Sequence, residues 1–393
     1  MDLRLSGPHL EFRDELRAWL AANLPRPWRE ELRDPAATED SLMELRRQWQ
    51  KKLHAAGYLG MSWAKEWGGR GATEVEQALF EWEMARADAP QILNFLGIGL
   101  LGPALIHHGS EEQRRRYIPP MLKADELWCQ GFSEPGAGSD LASLRTSAVV
   151  DGDHFVLNGQ KIWTTLGPWA DWIFVLARTD PKDRYGGISF ILCKLDTPGV
   201  TVRPLRQITG ESEFGEVFFE NARVPRENLV GQIGEGWRIA MTVLAYERGA
   251  MGLAMSARYG RDLGQLAAAC RDIGRTDAGT REKLARLLVD NEVLRANGLR
   301  TLANMADHRA PGPESSLEKL CWSELDKRFR ETALEVLGPG GQLLRTSGFA
   351  RSDVDWTREF LWSRAGTIYS GSSEVQRNII AKRVLALPQD ERR

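Results

Sequence analysis

Over the first 125 residues, apolar positions recur with a helical period. Phe12, Leu16, Trp19 and Leu20 fall on one helix face, and the apolar residues of segment 42–53 do the same before a stop at Gly57. Thr73 followed by Glu76 has the spacing of a capping box and predicts a further helix start. The glycine-rich run at 68–71 is weak evidence for a phosphate site, because no strand leads into it. From about residue 126 the period changes. Segments 145–150, 154–157, 161–165, 172–178, 188–193 and 216–219 read as strands, with Asp151-Gly152 and Asn158-Gly159 as hairpin turns between them. Short strands at this spacing, without strand–helix alternation, predict an antiparallel barrel or sandwich and argue against a Rossmann sheet. After the glycines of 231–236 the helical period returns to about Leu387, broken near 274–279, 311–313 and 338–341. The expected fold class is α+β and multidomain: helical over 1–125, β over 126–232, helical over 233–393.

Composition narrows the function classes. The chain has 393 residues, 42% hydrophobic and 27% charged, with a net charge of -2, which excludes disorder and gives no nucleic-acid or polybasic membrane footprint. The longest apolar stretch, 92–106, is too short to span a bilayer and contains Asn94 and Pro103, so a buried helix or helix pair is expected. The N-terminus lacks a hydrophobic signal region. Cys129, Cys193, Cys270 and Cys321 lie far apart, without metal-ligand spacing. Free buried thiols in a cytoplasmic protein are the expectation.

Segment 237–255 is apolar on nearly every side yet carries Glu247 and Arg248 in its middle. On a 3.6-residue period Glu247 shares a face with Val243, Leu244, Ala250, Met251 and Ala254. A carboxylate there is either half of a structural ion pair or a proton carrier with its pKa raised by desolvation. Two further stretches suggest a ligand. Trp128-Cys-Gln-Gly-Phe132-Ser133-Glu-Pro-Gly-Ala-Gly-Ser139-Asp140 reads as a strand entering a small-residue loop, where main-chain N–H groups can approach a ligand closely. Lys161-Ile-Trp163-Thr164-Thr165 puts a flat ring and two hydroxyls on one strand; the alternative is a core tryptophan, one of 14 in the chain.

These two stretches, their separation and the later Tyr369-Ser-Gly-Ser372-Ser-Glu374 resemble the acyl-CoA dehydrogenase family over essentially the whole chain. The resemblance implies an N-terminal helical domain, a central β domain and a C-terminal four-helix bundle, with FAD bound between them. By similarity, Phe132 and Ser133 contact flavin or thioester, and Ser139 lies near flavin and pantetheine. Trp163 and Thr165 match family residues that pack against and hydrogen-bond the isoalloxazine ring. Ser372 and Glu374 match positions near the nucleotide half of FAD, and the resemblance places Tyr369 near the substrate. The implied reaction is α,β-dehydrogenation of an acyl-CoA, with electrons passed to an electron-transfer flavoprotein.

Three departures refine the expectation. Many family members carry the catalytic Glu directly after the motif tyrosine, where this chain has Ser370. A smaller branch carries it on the helix opening the C-terminal bundle, and that match falls on Glu247, with Arg248 at the adjacent arginine. Segment 270–280 lacks the aromatic residue that reaches a neighbouring subunit's FAD, and Pro339 interrupts a glycine loop. A tetramer is expected, of the α2β2 kind with a related subunit, acting on a bulky, branched or sterol-derived acyl group. The glycines of Asn94-Phe-Leu-Gly97-Ile-Gly99 leave room for such a group or for close helix packing. A non-catalytic partner subunit and a flavin oxidase or monooxygenase are the alternatives.

Overall fold

The computed structural model describes residues 5–25, 28, 34, 37–246, 251–306, 312–344, 347 and 354–388. Glu247 and Arg248 lie outside the described residues. The chain divides into two compact units, one drawing on Met1–Leu45, Ala72–Pro90 and Arg248–Arg393, the other on Arg46–Gly71 and Gln91–Glu247.

The periodic N-terminal segments form α1 (Gly7–Asn23), α2 (Glu39–Ala55) and α3 (Glu74–Arg86), and α1 buries Phe12, Leu16 and Leu20. Thr73 caps α3 as its spacing predicts. Its hydroxyl accepts the Glu76 N–H, and the Glu76 carboxylate accepts the Thr73 N–H at 2.7 Å. Thr73→Ala should therefore cost about 1 kcal/mol, read as a lower urea midpoint with unchanged slope.

Segment 92–106 contains a π-helical turn, Gly97–Leu101, running into α4 (Gly102–His108); α5 (Glu111–Leu122) follows. Asn94, 1% exposed, is a hydrogen-bonding hub. Its side chain donates to the carbonyls of Met121 (3.0 Å) and Glu126 (2.9 Å) and accepts the Trp128 N–H at 3.0 Å. A Cβ on Gly97 would lie 2.5 Å from Asn94 Oδ1, and one on Gly102 would lie 2.4 Å from the Trp63 ring. At these two glycines close packing explains the residue. Gly99 faces open space.

One eight-stranded sheet fills the centre of the second unit. Its strands are β1 (Trp128–Gly131), β2 (Ser147–Asp151), β3 (His154–Thr165), β4 (Trp172–Arg178), β5 (Ile188–Lys194), β6 (Val200–Leu205), β7 (Phe214–Pro225) and β8 (Leu229–Val230). They run in the order β6, β7, β3, β2, β4, β5, β8, with β1 beside β4. Pairing is mainly antiparallel; β1 and β2 each meet β4 in parallel. Phe155, Leu157, Ile173, Val175, Ile191 and Val217 make the core of this sheet. Asp151-Gly152 is the expected hairpin turn, with Gly152 at φ +60.

Asn158-Gly159 is not a turn. β3 continues through it opposite a bulge in β7 at Asn221, whose N–H donates to Asn158 Oδ1 at 2.8 Å. Gly159 is needed because a Cβ there would meet Thr146 at 2.6 Å. The dipeptide satisfies a bulge with the same chemistry it would bring to a hairpin. β6 escaped the strand reading because Pro204 sits in it; as the edge strand it has no ladder partner on its outer side to lose.

α6 (Gly236–Tyr246) packs on β5 and buries Ile239, Ala240 and Val243. In the other unit α7 (Met251–Asp272), α8 (Ala278–Ala306), α9 (Ser315–Leu337) and α10 (Trp356–Gly366) pack as a bundle around Tyr259, Leu266, Leu294, Trp322, Phe329 and Trp356. A short α11 (Ser373–Ile379) follows. The bundle also encloses charge. Arg330, with no exposed surface, pairs with Asp262 at 2.8 Å, Asp326 at 3.0 Å and Glu359 at 3.5 Å, and Arg258 meets Glu359 at 2.6 Å. Cys129, Cys193 and Cys270 are buried free thiols; Cys321 is only half-buried. Among the described residues no helix is long and apolar enough to cross a membrane.

Candidate active site

In the sheet unit the two motif stretches meet. β1 delivers Phe132 and Ser133 into a loop whose turn is closed by reciprocal 3.0 Å bonds between the main chains of Glu134 and Ala137. Between Lys161 and Thr164, β3 holds two residues opposite one of β7. At this bulge the Ile162 N–H leaves the ladder and donates to the Ser133 carbonyl at 3.0 Å. Loop and strand are thereby joined at the bulge.

The bulge also sets Trp163. Its φ is +58, a left-handed backbone uncommon for a bulky residue, and its ring is 59% exposed. The core-tryptophan alternative is thus excluded: the indole is an open apolar wall, flanked edge-on by Phe214 at 6.1 Å. Strain of this kind costs on the order of 1–3 kcal/mol and gathers at ligand sites. Thr165 is half-buried two residues on, while Thr164 is buried with its hydroxyl unpartnered among the described residues. Ser133 is half-buried and Ser139 exposed. The Phe132 ring is 6% exposed and stands edge-on to Phe174 and Phe190, which leaves little of it for a ligand.

Behind this wall lies a pair the motif reading missed. Lys161 has no exposed surface, and its Nζ donates to Glu134 Oε1 at 2.7 Å and to the Phe132 carbonyl at 3.2 Å. The signal was present in the alternation: Phe155, Leu157, Gly159 and Lys161 share one parity, and the first two are core.

In the bundle unit, Tyr369, Ser372 and Glu374 occupy a single turn after α10. Tyr369 is 42% exposed, with its ring 6.0 Å from Trp322. Ser370, at φ +52, and Gly371, at φ +83, reverse the chain, and Gln376 Nε2 holds the reversal by donating to both carbonyls, at 3.0 and 3.2 Å. Ser372 caps α11 by accepting the Val375 N–H. Glu374 is exposed in the first turn, its carboxyl below the ordinary range through its own N–H and the Ser372 hydroxyl. The turn thus presents a hydroxyl, a ring and a carboxylate, but at position 370 no group able to take a proton from carbon.

Profiles for the acyl-CoA dehydrogenase N-terminal, middle and C-terminal domains match residues 7–125, 129–222 and 234–385. This is a class of flavoprotein oxidoreductases, and it accounts for a sheet that displays an aromatic wall between helical regions of sequence. The chain belongs to the acyl-CoA dehydrogenase family. It is 44% identical over 384 residues to the acyl-CoA dehydrogenase IpdE1 of Mycobacterium tuberculosis, covering 97% of this chain and 98% of that protein. IpdE1 of Mycolicibacterium smegmatis is 42% identical over 394 residues, with the same coverage. Among solved structures, the Tcur3481-Tcur3483 steroid ACAD superposes with a TM-score of 0.88 at 32% identity, covering 99% of this chain and 100% of that one. A chain of the ChsE4-ChsE5 complex from Mycobacterium tuberculosis gives 0.84 at 30%, with full coverage of both.

Proposed function

We propose that this enzyme binds FAD and dehydrogenates a bulky, steroid-derived acyl-CoA between its α and β carbons, with Glu247 as the base. The observation that carries the reading is Trp163: a strained, exposed indole two residues from Thr165, on the domain that matches the family's middle profile. A flat apolar wall with hydroxyl donors beside it fits a flavin ring, and the capped turn at Ser372 offers a hydroxyl to the nucleotide half. When bound, FAD supplies the acceptor for the β-hydride at N5.

The protein's own residues do the remainder. Glu247 removes the α-proton, and desolvation would keep it basic enough for the task. Arg248, next to it in sequence, brings a positive charge that offsets part of this and favours the ionised carboxylate, the form able to accept the proton. The thioester oxygen gains negative charge as the proton leaves, so donors aimed at it lower the barrier. Ser370 at the more usual position cannot replace Glu247, because an unassisted hydroxyl is far too weak a base. The steroid assignment rests on the solved relative described as a steroid ACAD. Electron-transfer flavoprotein is the proposed acceptor.

A related subunit in an α2β2 tetramer is part of the same proposal, supported by the two-component names of the solved relatives and by the polar segment 270–280 and Pro339. Purified alone, the chain should carry well under one FAD per protomer, and co-expression with a related subunit should raise it. Near-stoichiometric FAD in a stable homotetramer would remove the partner. Anaerobic mixing of the loaded protein with straight-chain, branched and steroid-side-chain CoA thioesters should bleach the flavin fastest with the last. Rapid oxygen consumption in turnover would instead favour an oxidase.

A further inference from the structure

The Lys161–Glu134 pair has a strength and a placement that the proposed reaction does not use. Glu134 Oε1 accepts from Lys161 Nζ at 2.7 Å and from the Thr146 N–H at 2.8 Å, while Oε2 accepts the Arg145 N–H at 2.7 Å. Burial pulls Lys161 down to about 8, against the opposing charge of Glu134. On Glu134 burial acts upward, but Lys161 and these N–H groups outweigh it and hold the carboxyl below its ordinary range. Stability is a poor reason for such a pair, since apolar replacement of both members of a buried ion pair is often neutral or better.

Geometry offers a better one. Lys161 is the last residue of β3 before the bulge, and its ammonium reaches back to the Phe132 carbonyl, one residue before Ser133. Ser133 in turn accepts the bulge N–H of Ile162. We infer that Lys161 and Glu134 are a positioning pair, which clamps the loop carrying Phe132 and Ser133 against the bulge that turns Trp163 outward, so that the flavin-facing surface is set before the flavin arrives. This rests on the flavin reading above.

The test separates clamp from core. Lys161→Met with Glu134→Gln removes both charges at similar volume and keeps an amide oxygen for the buried Thr146 N–H, whereas Glu134→Gln alone leaves Lys161 buried with a weaker partner. Each is prepared in the assembly that retains flavin, stripped, melted and titrated with FAD. The double variant should melt above Glu134→Gln alone, since no uncompensated lysine stays buried, while its Kd for FAD rises about tenfold, equal to about 1.4 kcal/mol, with an altered visible spectrum of the bound flavin. Glu134→Gln should melt lower and also bind FAD less tightly. A double variant with parental Kd and spectrum overturns the inference. So does one that melts as low as Glu134→Gln or fails to fold, which would make the pair a fold determinant. An unmodified protein that takes up no FAD in any assembly overturns the flavin reading itself, which is a different result from parental binding by the double variant.

Discussion

Glu247→Gln should keep its flavin and lose its chemistry: anaerobic mixing with the acyl-CoA that bleaches the parent should bleach the variant roughly 10²- to 10⁴-fold more slowly. The amide preserves shape and most hydrogen bonding while removing the ability to accept the α-proton. FAD content and acyl-CoA affinity should stay near parental values, because the loss falls on a step made only in the transition state. Bleaching at the parental rate would take the base away from Glu247. It would also revive the reading of Glu247 and Arg248 as a structural ion pair, leaving a subunit whose catalytic carboxylate lies in a partner.

Arg330→Met should be the most destabilising single change among the bundle residues described, costing roughly 3–5 kcal/mol. The methionine fills most of the volume under Phe329 and Tyr259 but leaves Asp262, Asp326 and Glu359 enclosed with less cation. In the parent, burial acts to raise Glu359, but Arg258, Arg330 and Arg358 outweigh it and hold the carboxyl down to about 2. A folded-state value depressed below the unfolded one, about 4.3, contributes stability that is complete above the unfolded value and is lost as pH falls toward 2. Burial pushes Asp326 up instead, even beside Arg330 and Arg258. Removing Arg330 weakens the charge that holds Glu359 down and opposes the rise of Asp326, so both bind protons at higher pH in the folded variant than in the folded parent. The stability gap between the two should therefore be widest near neutrality and should narrow as pH falls through the range in which Asp326 and Glu359 of the variant take up protons. Thermal melts across that range would read it, and a gap independent of pH would show that the loss is packing alone.

Much of the architecture is written in local pattern. Helix periods, the Thr73–Glu76 cap and the Asp151-Gly152 hairpin depend on neighbours in sequence, and all appear where the pattern puts them. The errors are non-local. Asn158-Gly159 carries turn chemistry but spends it on Asn221, 63 residues away along the chain, and no local rule tells a hairpin from a bulge partner. Trp163 is the same lesson at the site: strand alternation would turn it toward one face or the other, but the displaced ladder at 161–164 decides. Lys161 was legible by parity, yet its partner 27 residues away was not. The motif residues of the loop and of the Tyr369 turn were visible from resemblance alone, and Phe132 shows what resemblance omits, since its ring belongs to an aromatic cluster with Phe174 and Phe190.

The Asn94 hub also sorts a stretch of chain for anyone designing variant libraries. Its amide has both hydrogens and its oxygen committed, and even an aspartate would turn two donations into carbonyl–carboxylate repulsions. Gly97 and Gly102 are closed to any side chain by Asn94 and Trp63. Gly99 alone of these positions can be diversified without disturbing its neighbours, since a methyl group there enters empty space. Saturating position 99 and leaving 94, 97 and 102 untouched is the economical way to ask whether this turn sorts acyl groups by size.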